Sequence, residues 1–307
     1  MNTRTLFFVG LIIAATGFVS APLALTMGLV YGAIFSHPFH VESRNLSKFL
    51  LQASVVGLGF GMNLKEVMKA GITGFTYTAF SIAFVLAVGL LIGKILKVRN
   101  TASFLIATGT AICGGSAIAA IGPIVDAEDQ EMAVSLGTIF ILNSLALLTF
   151  PMLGWTFHLS QEQFGLWSAL AIHDTSSVVG AASRYGALAL VIGTTVKLAR
   201  ALWIVPLSVG TAAVRRNGAP IRWPWFILLF CLAAAVSTYS PLPVRYFQSL
   251  SNLGKLGLTA TLYLIGTGLS PSTLKRVGVR PLLQGVILWA IVGTVSLWLI
   301  IKGVMAF

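Results

Sequence analysis

Residues 71–93 read G-I-T-G-F-T-Y-T-A-F-S-I-A-F-V-L-A-V-G-L-L-I-G, without one charged side chain. At 1.5 Å per residue, about twenty apolar residues in a helix cross the ~30 Å hydrocarbon core of a bilayer. Ten more apolar runs share the chain with this one. Together they give spans at roughly 5–20, 21–36, 46–62, 71–93, 101–122, 131–153, 164–183, 187–213, 223–238, 249–268 and 281–304. In lipid each backbone N–H and C=O needs a partner within the protein, and continuous apolar runs of this length meet that need as helices. The expected fold is an all-α polytopic membrane protein with about eleven transmembrane helices. Pro22, Pro281 and the Trp223-Pro224 pair suit helix starts.

Composition agrees. Only 9% of the 307 residues are charged and 57% are hydrophobic, whereas a soluble domain carries about 25% charged residues. A net charge of +12 would suggest nucleic acid in a soluble chain. Here the charges lie between apolar runs, so the bilayer is the partner and nucleic acid is not. Cys113 and Cys231 fall in separate spans, which leaves no disulfide framework, no metal spacing and no implied cofactor. Arg4 and the apolar run from Leu6 to Val19 have the outline of a signal peptide. Pro22 directly behind Ser20-Ala21 suits a cleavage site poorly, so the run reads as a retained first span.

Lys and Arg in short loops set orientation. With the N-terminus cytoplasmic, that side holds Arg4, Arg44, Lys48, Lys94, Lys97, Arg99, Arg215, Arg216, Arg222, Lys275, Arg276 and Arg280. The other side holds Lys65, Lys69, Arg184, Arg245 and Lys302. Twelve against five favours an N-terminus inside and a C-terminus outside, although the Lys65–Lys69 loop fits badly. The acidic loop from Asp126 to Glu131 then falls outside.

Eleven spans leave an extra N-terminal helix (1–20) beside two halves, 21–155 and 160–307, within one transmembrane domain. That is the arithmetic of an inverted repeat, a common transporter plan. Gly57 to Asn63 echoes Gly266 to Ser270, and Cys113-Gly-Gly-Ser116 echoes His173-Asp-Thr-Ser176, each of the latter followed by a helix reaching a proline, Pro151 or Pro206. The two pairings do not occur in the same order in both halves.

Four elements carry chemistry. Thr108, Gly109, Thr110, Cys113, Gly114, Gly115 and Ser116 combine adjacent glycines with hydroxyls. Either the glycines let a neighbour pack closely, or the helix breaks and a half-helix end faces a substrate. His173, Asp174, Thr175, Ser176 and Ser177 include the one acid deep in an apolar span. An ionised carboxylate there costs about 2.5–3.5 kcal/mol. Asp174 is therefore either a static partner of Lys197 or Arg200, or a proton-coupling group with His173. Lys197 and Arg200 stand three apart and share a helix face with Thr194 and Thr195 nearby. Two cations against one acid point to an anionic substrate. In the fourth element, Asn63 and Ser270-Pro271 suit helix ends, with loop entry and functional breakage equally open. Asn143, Ser144 and Thr149 read as bonds between or within helices.

The motifs G-T-A-I-C-G-G-S-A-I-A-A at 109–120, I-H-D-T-S-S-V-V-G-A-A at 172–182 and T-T-V-K-L-A-R-A-L-W-I-V-P at 194–206 resemble the YeiH-type family of bacterial inner-membrane proteins, labelled sulfate exporters. More distantly, M-N-L-K-E-V-M-K-A-G followed by C-G-G-S-A is similar to the bile-acid/sodium symporter and sodium/proton antiporter superfamily. That resemblance implies interleaved panel and core subdomains and two unwound helices crossing at the midplane. It puts Cys113 to Ser116 in one crossing helix, with His173 to Ser177 or the Gly266 region in the other. The antiporters' adjacent aspartates are absent from the spans, which argues against a sodium/proton antiporter.

The expected function is a secondary transporter, outward and proton-linked, of a sulfate- or sulfite-like anion. Its substrate-binding residues are Thr110, Cys113, Gly114, Gly115, Ser116, Thr175, Ser176, Ser177, Thr194, Lys197 and Arg200, and its proton-coupling residues Asp174 and His173. The alternative is a sodium- or proton-coupled organic-anion carrier. No Walker motif is present, so ATP does not drive it. An intramembrane enzyme is disfavoured, because adjacent His173 and Asp174 on one helix would point about 100° apart. A homodimer is kept open as the assembly.

Overall fold

The apolar runs are helices in the structure, a computed structural model that describes residues 3–35, 39–215, 225–268 and 278–305. Among the described residues there are no strands. Four helical stretches are long and apolar enough to cross a membrane: Val67–Ile95, Gln130–Thr156, Ala187–Val214 and Val279–Ile301. The polytopic all-α expectation holds. The helix starts at Trp223-Pro224, the cap at Ser270-Pro271, and Arg216, Arg222, Lys275 and Arg276 lie outside the described residues.

The chain forms two compact units, each built from two stretches: Met1–Lys69 with Trp225–Pro271, and Ala70–Pro224 with Ser272–Phe307. The first unit holds α1 (Thr3–Ala15), α2 (Ala21–Ile34), α3 (His40–Gly59), α12 (Trp225–Tyr239) and α13 (Val244–Thr267). α13 is its centre. A Cβ on Gly57 of α3 would lie 3.0 Å from the Gly254 Cα, and one on Gly28 of α2 would lie 3.0 Å from the Gly266 Cα. Lipid tails give no hydrophobic drive between helices, so such close backbone approach is what binds them. Gly57 and Gly266 therefore serve packing. Asn63 accepts a hydrogen bond from the Lys65 N–H at 2.9 Å, as a helix-start residue does.

The second unit contains most of α4 (Leu64–Ile95), then α5 (Asn100–Ala111), α6 (Gly115–Ile121) with a 3-10 turn at Gly122–Val125, α7 (Asp129–Thr156), α8 (Gln161–Ala171), α9 (Thr175–Tyr185), α10 (Ala187–Ala201), α11 (Ile204–Arg215) and α14 (Val279–Ile301). Spans 101–122 and 164–183 each count as one crossing in the eleven-span reading, with a helix break left open at Cys113–Ser116 and at His173–Ser177. Both break in the middle and turn back. Arg99, before α5, forms a bidentate pair with Glu128, before α7, at 2.8 and 2.7 Å. Ile118 of α6 lies against Gly109 of α5. The second case repeats the plan: the Tyr185 hydroxyl donates to the Leu159 carbonyl at 2.6 Å, and the Tyr185 and Phe164 rings stack at 3.8 Å. Each pair of half-helices is a hairpin with its feet together.

The two hairpins enter from opposite ends of the unit. α7 starts at the feet of the first, beside Arg99, and ends at the feet of the second, where Trp155 stacks on Tyr185 at 5.7 Å. Its 28 residues measure about 42 Å. α10 and α11 run the other way, from Leu188 beside Gln161 to Ala212 against the Ile121–Val125 cluster. Pro151 lies inside α7 and Pro206 in the first turn of α11, so neither proline ends its helix as the sequence suggested. α14 anchors both hairpins. Gln284 Nε2 donates to Ser103 Oγ at 2.8 Å, and Trp167 Nε1 donates to the Gly293 carbonyl at 2.9 Å.

This geometry also corrects the acidic loop. Because the first hairpin returns to its starting side, Glu128 and Glu131 sit with Arg99, not across the membrane from it.

Candidate functional site

Half-helices of 11 and 12 residues are about 17–18 Å long. Two hairpins entering from opposite ends of the unit therefore bring their tips together inside it. Their tips are Ile112–Gly114 and Ile172–Asp174. Gly114 has φ +67 and ψ −128, a conformation that glycine adopts without strain. A Cβ there would lie 3.3 Å from Ile139 and 3.4 Å from Asp174. The glycine-rich sequence of the first tip is thus both a helix break and a close contact.

A broken helix leaves its last carbonyls without donors, which lipid cannot supply. α10 supplies them. Arg200 Nε donates to the Ala111 carbonyl at 2.5 Å and Nη2 to Thr110 at 3.2 Å, both on α5. Its Nη1 donates to Leu170 at 2.5 Å and Ala169 at 3.2 Å, on α8. Lys197 Nζ donates to Ile172 at 2.6 Å and Ala169 at 3.3 Å. Both side chains are fully buried. Each hydrogen bond from a charged donor contributes about 1.5–3 kcal/mol, enough in sum to offset an insertion cost of about 2.5–3.5 kcal/mol per cation.

Asp174 caps α9. Its carboxylate accepts the Ser176 N–H at 3.1 Å and the Ser176 hydroxyl. The expected alternative, a static pair between Asp174 and Lys197 or Arg200, is not formed: among the described residues the ion pairs join Arg99 to Glu128 and Glu131. Asn143, on α7, accepts the Asp174 N–H at 3.1 Å, so it belongs to the site. Its place in an otherwise apolar span was the sequence signal, but a helix-to-helix bond explained it equally well.

Thr110, Cys113, Gly114, His173, Asp174, Thr175, Ser176, Ser177, Thr194, Thr195, Lys197 and Arg200 are all buried around the two tips and α10. Gly115 opens α6 against Phe140 and Leu136. Ser116 is exposed and does not join them. Several buried polar atoms have no protein partner: the Thr108, Thr110, Thr194 and Thr195 hydroxyls, Asn143 Nδ2 and both His173 ring nitrogens. Since Ser176 bonds Asp174 and His173 bonds neither, no Ser-His-Asp relay is assembled. Among the described residues no group of His, Cys, Asp and Glu could hold a metal.

Four half-helix ends converge here. The C-terminal ends of α5 and α8 carry partial negative charge, and the N-terminal ends of α6 and α9 partial positive charge. These cancel in pairs, so the formal balance is set by Lys197 and Arg200 against Asp174, one positive charge in excess.

The family model described as conserved hypothetical protein 698 matches residues 7–285. A UPF0324 membrane protein of Geobacter sulfurreducens is 47% identical over 294 residues, covering 96% of this chain and 95% of the relative. One from Bacteroides thetaiotaomicron is 46% identical over 287 residues, 92% and 87% of the two chains. One from Vibrio parahaemolyticus is 42% identical over 310 residues, 98% and 100%. No solved structure matches.

Proposed function

We propose a function for a chain that belongs to the conserved hypothetical protein 698 family, the UPF0324 membrane proteins: secondary transport of a small anion, sulfate- or sulfite-like, outward and linked to protons. The observation that carries this reading is the meeting of two opposed hairpin tips around an excess positive charge, with hydroxyl, amide and imidazole groups left without protein partners. Unpaired buried polar groups are costly, and a bound oxyanion would satisfy them. Tips reached from opposite faces suit alternating access to one site. The carbonyls at the ends of α5 and α8, the natural ligands for a sodium ion, are taken by Arg200 and Lys197. That weighs against the sodium-coupled organic-anion alternative.

We read the two halves as inverted repeats in cyclically shifted order. α3, α4, the first hairpin and α7 would correspond to α13, α14, the second hairpin and α10–α11. On this reading the units are the panel and core subdomains. Within the second unit, Lys94, Lys97, Arg99, Arg215 and Arg280 lie toward the feet of the first hairpin, against Arg184 and Lys302 toward the second. The first hairpin therefore opens to the cytoplasm of a bacterial inner membrane. Eleven apolar runs less two re-entrant hairpins leave nine crossings, which keeps the N-terminus inside and the C-terminus outside.

The test is transport by the full chain in proteoliposomes, with labelled sulfate and sulfite under an imposed proton gradient. Movement of either anion, reduced by Thr194→Val and Thr195→Val together, supports the reading. No movement of either, with no anion-dependent stabilisation of the purified protein, sinks it.

A further inference from the structure

At the tip of the second hairpin two titratable side chains stand next to each other, and their hydrogen bonding differs. Asp174 is committed as a helix cap: its carboxylate holds the N–H and the hydroxyl of Ser176. Those bonds belong to the folded end of α9 and need no ligand. His173 is 1% exposed, and neither Nδ1 nor Nε2 has a partner. The charged groups that act on it are Lys197 and Arg200 on α10; Asp174 follows it in the chain, and Cys113 in the opposite tip shares the charges of Lys197, Arg200 and Asp174. α7 brings the neutral amide of Asn143, and the end of α8 brings carbonyls already held by the two cations.

We propose that His173, and not Asp174, carries the coupling proton, and that it takes up one proton together with each anion. The inference rests on reading the chain as an anion transporter. Lys197 and Arg200 are pinned to carbonyls and cannot move aside. An imidazolium beside them is a third cation in a buried space, and a bound anion is what compensates it. By linkage, the anion draws a proton onto His173 and the proton tightens the anion by the same factor. Once protonated, both ring nitrogens are donors, which suits an oxyanion. The proton comes from bulk water on one face and returns to bulk water on the other, and no covalent bond to the anion forms or breaks.

The experiment is titration calorimetry of the purified full chain in nanodiscs, with sulfate and then thiosulfate as probes. Buffers of equal pH and different ionisation enthalpy give the number of protons taken up per anion. The expected result is about one proton for the wild type and for Asp174→Asn, which keeps a capping side chain. His173→Gln should still bind, about tenfold more weakly, with proton uptake near zero and no pH dependence. Uptake that persists in His173→Gln, or that vanishes in Asp174→Asn, overturns the assignment. Binding by the wild type without proton uptake overturns it while leaving anion transport standing. No binding of either probe by the wild type overturns both.

Discussion

Gly114 and Asp174 touch: a Cβ built on Gly114 would sit 3.4 Å from the Cα and Cβ of Asp174. The contact joins the turning points of two hairpins that start at opposite ends of the unit. Gly114 also holds φ +67, where a side chain costs about 1–3 kcal/mol. Gly114→Ala should lower the thermal midpoint of the purified protein by several degrees. Gly293→Ala, whose Cβ would meet open space inside α14, should be neutral or stabilising by up to about 1 kcal/mol. Thermal unfolding of the two variants side by side checks this.

Removing the guanidinium of Arg200 strands four carbonyl contacts at once. Arg200→Met should cost at least about 3 kcal/mol, in the range for breaking a buried charged network. Arg200→Lys should recover only part of that loss, because a single ammonium lacks the planar fork that reaches both half-helices. Asp174→Asn should be nearly neutral. A large loss with Asp174→Asn would mean that the carboxylate holds more than its own helix end.

The feet of the first hairpin should respond to acid. Glu128 accepts two hydrogen bonds from Arg99, and this bonding, with the charge of Arg99, holds its carboxyl below the usual range. A lowered folded value means that the stabilisation is fully present above about pH 4.3, the ordinary glutamate value, and is lost as pH falls through the folded value. Both side chains are more than half exposed, so salt should weaken the clasp as well. Hydrogen exchange at Ala127 and Glu128 should quicken below that pH and with added salt. The corresponding amides near Tyr185, held by a neutral hydroxyl and stacked rings, should show neither response.

Sidedness separates a hairpin from a crossing. Cysteines placed at Lys97 and Asp126 should react with a membrane-impermeant maleimide from the same face. One at Arg184 should react from the opposite face. Labelling of 97 and 126 from opposite faces would mean that residues 101–122 cross the bilayer.

The apolar runs were legible in the sequence, because they follow from local chemistry. Adjacent glycines at 114–115 offered a break at one tip, whereas the polar residues at 173–177 fitted a broken and an intact helix equally well. The direction taken after each break was not legible. A run of twenty apolar residues meets the same bilayer thickness whether it crosses or doubles back, and what decides is long-range: Arg99 reaching Glu128, and Tyr185 reaching Leu159. The roles of Lys197 and Arg200 were half legible. Their shared face was evident, but their partners are backbone carbonyls, which every residue carries and no sequence pattern marks. The mismatched order of the two internal echoes also has a spatial setting: α3 and α13 lie in one unit and both hairpins in the other.

Arg200 divides its donors between two hairpins, with Thr110 and Ala111 on one side and Ala169 and Leu170 on the other. On the proposed transport reading, opening the site to both faces at once would need both tips to withdraw. Withdrawing one leaves the cation half partnered, and withdrawing the second leaves it buried with no acceptor. On that reading, the doubly open state, the one that would leak, is therefore the arrangement that this one side chain disfavours most.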